Sequence, residues 1–275
     1  MEARLAQAVE LLARRRLLVL TGAGISTDSG IPDYRGNGTP RRTPMMYSEF
    51  RGSSENRRRY WARSHVGWRR MSTAEPNVGH RAVAELERSG SATGVITQNV
   101  DGLHIAAGSR TVVELHGRLA DVVCLDCGDR CTRTAVHQRL AALNPEFNDV
   151  SAELRPDGDV DLEKLDGFVV AGCEECGGVL KPDVVFFGEN VPRDRVATST
   201  RMTDEAEALL VAGSSLAVLS GYRFVRQAHA RGIPVAIVNR GATRGDDLAD
   251  VKIDAGCSET LNVLAESLAG VTPGR

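Results

Sequence analysis

The sequence predicts an α/β protein built on a doubly wound parallel sheet, with smaller segments inserted between its strands. Short apolar runs recur along the chain, helical patterns alternate with them, and each run ends in glycine or small polar residues. At 275 residues, 42% hydrophobic and 25% charged, one large domain with an inserted module suits the chain better than two equal ones. A net charge of −2 gives no electrostatic case for direct nucleic-acid binding or for an anionic membrane surface. No apolar run approaches the roughly 20 residues that span a bilayer. Oligomeric state is not readable.

Glu2–Arg15 reads as the first helix, with Leu5, Val9 and Leu12 at helical spacing, and Glu2 and Glu10 break any targeting-peptide composition. The strand Leu17–Leu20 then runs into Thr21-Gly22-Ala23-Gly24-Ile25-Ser26. Gly22 and Gly24 allow a sharp turn, and amides near Ile25, Ser26 and Thr27 would point along a nascent helix at a pyrophosphate, as in a Rossmann-like cradle. A plain tight turn explains the glycines equally well. A dehydrogenase would place an acid about 20 residues after the first glycine. Here that region is Pro40-Arg41-Arg42-Thr43-Pro44, and Asp33 and Arg35 sit instead on a Pro32-stiffened loop beside the cradle. The site is suited to holding NAD for something other than hydride transfer.

Ser48–Met71 carries Tyr60, Trp61 and Trp68 on the packed face of a helical module, and Pro76-Asn77 opens a helix through His80–Arg88. The strand Ala92–Thr97 delivers Gln98, Asn99 and Asp101 to the carboxyl edge of the sheet, where ligands bind. Thr111–Leu115 delivers His116-Gly117 to the same edge. By position His116 is the candidate catalytic histidine; His65, His137 and His229 read as structural, and His80 and His104 as nearer the site but less well placed.

Cys124-x-x-Cys127 and Cys173-x-x-Cys176, with 45 residues between, form two knuckles whose four thiolates fill one tetrahedral zinc site and leave no position for water, so the zinc is structural. Cys131 reads as a spare thiol, and the acidic residues around the knuckles argue against a nucleic-acid surface. The chain is expected to return to the sheet at Leu180–Glu189, whose alternating residues could pair with an extended peptide. A helix over Asp194–Glu207, the strand Ala208–Ala212 ending in Gly213-Ser214-Ser215, a helix over Tyr222–Arg231 and the strand Pro234–Val238 ending in Asn239-Arg240-Gly241 follow. Val251–Asp254 leads to Gly256-Cys257 and a last helix over Ser258–Leu268. The expected architecture is a doubly wound, Rossmann-like parallel sheet (1–35, 77–117 and 181–275) with a helical insertion (36–76) and a small zinc-ribbon module (118–180).

From about Leu17 onward the chain resembles the sirtuins. The likeness rests on Gly22-Ala-Gly-Ile-Ser26, Gly30-Ile-Pro-Asp-Tyr-Arg35, Thr97-Gln-Asn-Val-Asp101, His116-Gly117, the paired knuckles, Phe186-Phe-Gly-Glu189, Gly213-Ser-Ser215 and Asn239. Gln98–His104, Lys181–Glu189 and Thr243–Leu248 are similar to the class II branch, which includes the animal mitochondrial members. The resemblance implies an NAD-dependent protein-lysine deacylase, acting on acyl-lysine proteins or peptides, in which NAD+ is consumed, nicotinamide leaves and the acyl group passes to ADP-ribose. It implies Asn99 and Asp101 at the nicotinamide, Gln98 near the ribose, His116 as general base, and Ala23, Asp33, Tyr34 and Arg35 over the cofactor. Gly213, Ser214, Ser215, Asn239 and Cys257 fall on the phosphate and adenosine side, and Val184, Phe186, Phe187, Gly188 and Glu189 along the peptide. Protein mono-ADP-ribosyl transfer from the same site, or a non-catalytic acyl-lysine-binding module, are the competing readings. No Tyr-x-x-Arg pair is expected just after the cradle, which makes a dicarboxyl-acyl preference less expected, although Arg41 and Arg42 keep it open. Composition points to a bacterial cytoplasmic protein.

Overall fold

The computed structural model describes residues 2–34, 44–150, 155, 157–160 and 167–269. Its strands are β1 (Leu17–Thr21), β2 (Ala92–Thr97), β3 (Val112–Glu114), β4 (Gly117–Cys124), β5 (Arg130–Thr132), β6 (Leu180–Val184), β7 (Ala208–Ala212), β8 (Val235–Val238) and β9 (Val251–Ile253). Its α-helices are α1 (Glu2–Leu12), α2 (Tyr47–Gly52), α3 (Ser54–Met71), α4 (Val78–Arg88), α5 (Leu103–Ala106), α6 (Arg133–Leu143), α7 (Arg193–Glu205), α8 (Leu219–Ala230) and α9 (Cys257–Leu268). No described helix is long and apolar enough to cross a membrane.

Six strands form a parallel sheet in the order β3-β2-β1-β7-β8-β9. Side chains alternate along a strand, so β1 feeds two cores. Leu17 and Val19 pack with Leu12, Val83, Leu86 and Leu261 on one face. Leu18 and Leu20 pack with Met202, Phe224 and Val225 on the other. Strand order reverses between β1 and β7, which opens a crevice at their carboxyl ends. The glycine turn after β1 and the Gly213 turn after β7 both lie there.

Leu180–Val184 departs from expectation. It pairs antiparallel with β4, Cys124 opposite Leu180 and Val123 opposite Lys181, in a separate sheet ordered β5-β4-β6. The strand is an edge of that small sheet, which is where Pro182 costs no ladder hydrogen bond. Leu119, Val122 and Leu180 share one core with Val136 and Leu140 of α6 and with Phe50, Tyr60 and Trp61 of α2 and α3. The Trp61 indole N–H donates to the Leu180 carbonyl at 3.1 Å. The knuckle segment and the helical segment are therefore packed as one unit.

α8 begins at Leu219, three residues before the predicted start at Tyr222. Its first turn contains Ser220 and Gly221, both weaker helix formers than the residues that follow, so local propensity hides it.

Candidate active site

The glycine turn and the Gly213 turn touch backbone to backbone. A Cβ on Gly24 would stand 3.0 Å from the Gly213 Cα and carbonyl oxygen, and one on Gly22 would stand 2.8 Å from the Ser214 Cβ. Gly213 itself has φ +64, the left-handed region that glycine occupies without strain. Ala23–Ile25 form one turn of 3-10 helix rather than the expected α-helical start. The Gly24 amide donates to the Gly213 carbonyl (2.8 Å), Ile25 to Gly22 (3.1 Å) and Ser26 to Ala23 (3.0 Å). Those amides hold the turn together and are not aimed at an anion. Asp33 and Tyr34 follow on the same loop, with the Tyr34 ring edge-on to Phe187 at 6.4 Å. Arg35, with Arg41 and Arg42, lies outside the described residues.

Beneath the crevice a polar layer ties the cradle to the end of β2. The Asn99 carboxamide donates to the Gly22 carbonyl (3.1 Å) and to Ser26 Oγ (3.0 Å), and Ser26 Oγ donates to the Asp101 carboxylate (2.7 Å). The Asn77 amide donates to His80 Nδ1 (3.3 Å), which leaves the proton on Nε2, 3.4 Å from Ser26 Oγ. Asp101 also accepts from the Leu103 amide at 3.0 Å and so starts α5. His104 Nε2 lies 2.8 Å from Thr21 Oγ1, which donates to Thr97 Oγ1 (2.9 Å); that oxygen accepts from the Asn99 amide (3.1 Å). Burial pushes the His104 ring down to about 3, helped by His80. It pushes His80 down to about 4 against the pull of Asp101. Both rings are neutral at pH 7. Sequence reasoning set aside His80 and His104 and passed over Ser26, yet all three hold Asn99 and Asp101; the signal was their position just after a strand or at a helix cap.

His116 stands at the end of β3 with its Nδ1 2.8 Å from the Gln98 carbonyl and its Nε2 2.7 Å from Ser220 Oγ. Burial lowers its pKa, opposed by the Gln98 hydrogen bond, and Arg195 lowers it further. The Gln98 side chain donates to Ser214 Oγ at 2.8 Å, linking β2 to β7. Past Gly117 the polypeptide enters the small sheet, and the Val185 amide returns to donate to the His116 carbonyl at 2.8 Å.

Of the peptide candidates, Val184 and Phe186 point inward, Phe186 packing on Phe50 and Tyr60 with centroids 5.1 Å from each. Phe187 is 38% exposed and Gly188 has φ +78, so these two form the open shelf. Glu189 is a brace: its carboxylate accepts from the Phe186 amide (2.9 Å) and pairs with buried Lys181 (3.1 Å). At the far end of the crevice, the Asn239 carboxamide donates to the Arg240 carbonyl (2.7 Å) and the Gly241 amide to the Asp254 carboxylate (3.0 Å). The Ser215 carbonyl accepts from Arg244 at 3.0 Å. The buried Cys257 thiol is pushed up to about 12, mainly by desolvation, and stays protonated.

α3 adds a pair that the sequence reading did not weigh, well past the cradle. Tyr60-Trp61-Ala62-Arg63 is a Tyr-x-x-Arg pair, and Arg63 is engaged by Asp159 (3.1 Å) and the Val160 carbonyl (2.8 Å).

The four cysteines converge as their spacing predicts. All their sulfurs lie within 4.8 Å of one another, with Cys124–Cys176 at 3.6 Å and Cys127–Cys173 at 3.8 Å. A tetrahedral zinc with bonds of about 2.3 Å needs sulfurs about 3.8 Å apart, so the residues fit one structural zinc. Each knuckle closes in the same way, Gly128 donating to Cys124 (3.0 Å) and Gly177 to Cys173 (2.9 Å). Cys131 is not in the cluster.

A sequence profile of the Sir2 family matches residues 22–220. The chain is 57% identical over 266 residues to NAD-dependent protein deacetylase 1 of Mycobacterium avium, covering 95% of this chain and 94% of that one. It is 56% identical over 268 residues to NAD-dependent protein deacetylase 1 of Streptomyces coelicolor, with 96% and 90% covered. The NAD-dependent protein deacylase Sirt4 of Drosophila melanogaster is 50% identical over 258 residues (91% and 83% covered), which agrees with the class II likeness of the motifs. A solved Sir2 complex with a p53 peptide and NAD+ superposes with a TM-score of 0.77 at 31% identity, covering 94% of this chain and 96% of that one. With the match running through crevice, shelf and knuckles alike, the chain belongs to the Sir2 family, the sirtuins.

Proposed function

We propose that this chain is an NAD-dependent protein-lysine deacylase that releases nicotinamide and passes the acyl group to ADP-ribose. The observation that carries the reading is the convergence on one crevice of the β1 and β7 turns, the Asn99–Asp101 layer, His116 and the Phe187–Gly188 shelf. The names of the bacterial relatives and the solved complex with NAD+ and peptide support it. Bound NAD supplies the C1′ carbon of its nicotinamide ribose as the electrophile for the acyl oxygen.

The chain's own residues divide the remaining work. Asn99 and Asp101, fixed from below by Ser26, His80 and Thr97, hold the carboxamide end of the cofactor. Gln98 faces the ribose. His116, neutral at pH 7 with Nδ1 committed to the Gln98 carbonyl, accepts a ribose hydroxyl proton at Nε2. Ala23, Asp33 and Tyr34 lie over the cofactor, and Gly213, Ser214, Ser215, Asn239, Arg240, Gly241 and Cys257 line its phosphate and adenosine side. The acyl-lysine peptide lies along Phe187–Gly188, with Val184, Phe186 and Glu189 supporting that shelf from behind. Because Asp159 already holds Arg63, an uncharged acyl group, acetyl or longer, is favoured over a dicarboxyl one. The bacterial relatives are consistent with a bacterial cytoplasmic setting.

The test is mass spectrometry of the protein with NAD and acetyl-, longer acyl-, lipoyl- and succinyl-lysine peptides, with His116→Ala alongside. Nicotinamide and O-acyl-ADP-ribose together, lost in His116→Ala, are expected. Nicotinamide release with ADP-ribosylated protein and no deacylated peptide would favour transferase chemistry instead.

A further inference from the structure

The basic nitrogen of His116 is covered. The Gln98 carbonyl can only accept a hydrogen bond, so His116 Nδ1, 2.8 Å away, carries the ring proton. In the neutral ring Nε2 is then a bare lone pair. Ser220 Oγ sits 2.7 Å from it, so the hydroxyl donates. Ser220 lies in the first turn of α8, and the next residue, Gly221, packs so tightly on the Gln98 carboxamide that a Cβ there would overlap it. The helix start thus clamps Gln98 and His116 together, Gly221 fixing the side chain of the first and Ser220 the lone pair of the second. Nothing in the proposed chemistry above uses this hydroxyl.

We propose that Ser220 is a positioning residue for the base: its hydroxyl holds His116 in the Nδ1-protonated, neutral form and aims Nε2 into the crevice until a ribose hydroxyl takes its place. The inference rests on the deacylase reading, since it concerns the residue assigned as base there. A donor to the neutral ring stabilises that form and so keeps the ring available as a base at lower pH. Arg195, from α7, acts in the same direction by charge, and the Gln98 hydrogen bond acts in the opposite one. Removing Ser220 therefore raises the pH at which His116 loses its proton.

The experiment compares wild type, Ser220→Ala, Ser220→Thr and His116→Ala in two ways. In the NAD-free protein, nitrogen-15 NMR of the histidine side chains follows the tautomer and titration of His116, assigned by its absence in His116→Ala. With Ser220→Ala the titration is expected to move up by about 0.5–1 pH unit, the worth of one hydrogen bond. Nε2 also loses its hydrogen-bonded shift, and Ser220→Thr restores both. In turnover, Ser220→Ala shifts the acidic limb of kcat for acyl transfer upward by a similar amount. On that limb the rate falls roughly 3- to 10-fold, and at neutral pH it falls less. Nicotinamide exchange, which precedes the base step, changes less. An unmoved His116 titration overturns the proposal, as does a loss shared equally by exchange and transfer together with a raised KM for NAD, which would mark Ser220 as merely structural. Full acyl transfer by His116→Ala sinks the base assignment and this inference together. Loss in His116→Ala with an unchanged Ser220→Ala sinks this inference alone.

Discussion

Two histidine pairs stand close together among the described residues, buried His80 with buried His104 under the crevice and buried His65 with half-buried His137 between α3 and α6, with ring centroids 5.0 and 4.4 Å apart. The first pair is wired outward, through Ser26 and Thr21, to Asn99 and Asp101. The second is packing: His65 has Asn148 at 3.3 Å, and buried Arg133, stacked on Trp61 and Trp68, is close enough for its charge to act on both rings. The same contrast separates the two regions as a whole. The parallel sheet has a core of its own on each face, so its loops are free to spend polar groups on a ligand. The knuckle segment has three short strands, shares its core with α2 and α3, and depends on four sulfurs to close it.

The sharpest way to break that contrast is to remove the metal. Chelation, or Cys173→Ser, is expected to release one zinc per chain and to cost at least roughly 4–5 kcal/mol of stability, the range in which loss of a structural metal falls. The damage should reach the Phe187 shelf, because Phe186 belongs to the shared core. Near-ultraviolet circular dichroism, zinc release and deacylation should fall together. A chain that keeps fold and activity without zinc would make the four-cysteine cluster dispensable.

Leu20→Ala probes the other region. Leu20 is fully buried against Phe224 and Val225, so truncation should cost about 2–5 kcal/mol through lost burial and a residual cavity. Zinc should stay bound at one per chain in native buffer. Zinc release at the same denaturant concentration that melts the sheet would show the two regions to be one cooperative unit.

Acid separates the histidine pairs. His65, His80 and His137 are pushed down to about 4 and His104 to about 3, each chiefly by burial. Below pH 6.5 the unfolded chain takes up protons that the folded one refuses, so their stability contribution is complete above that pH and declines as pH falls toward about 4. The slope is at most about 1.4 kcal/mol per pH unit for each ring. Enclosed His80 and His104 approach it, whereas solvent screens half-buried His137. Urea midpoints at pH 7 and 5 should therefore converge partly in both His65→Gln and His104→Gln, but only His104→Gln should also impair nicotinamide exchange. Equal exchange in the two variants would remove the distinction drawn between the pairs.

Much of the sheet was legible because a parallel strand buried on both faces must be apolar throughout, and Leu17–Leu20 and Ala208–Ala212 are. The knuckles were legible because zinc fixes both residue type and spacing. β6 was misplaced since Leu180-Lys-Pro-Asp-Val184 carries no sign of which sheet its hydrogen bonds join. Ser26, His80, His104 and Ser220 were hidden for a different reason. Each acts through a partner 54 to 104 residues away, from Ser26 and His80 at 54 positions to Ser220 and His116 at 104, and single-residue patterns carry no record of such meetings. Tyr60 and Arg63 were there to be read, but they lie well past the cradle, on a helix whose aromatic content suggested packing alone.

The smallest expected effect concerns the brace behind the shelf. Lys181 is buried, its ammonium donating to the Val184 carbonyl at 2.6 Å and pairing with Glu189 at 3.1 Å, while Glu189 fixes the Phe186 amide. Burial lowers the Lys181 pKa and the Glu189 charge opposes that. Glu189→Gln keeps an acceptor for Phe186 but leaves the cation without its counter-charge, so the turn carrying Phe187 and Gly188 loosens. With this turn assigned to the peptide rather than to the cofactor in the proposed function, KM for the acyl-peptide should rise roughly 5- to 20-fold, about 1–2 kcal/mol, with kcat and KM for NAD little changed. Lys181→Met added to Glu189→Gln should cost less than the sum of the two, since the second change removes the stranded charge. Additive losses, or a rise in KM for NAD as large as that for peptide, would move the brace from the shelf to the crevice floor.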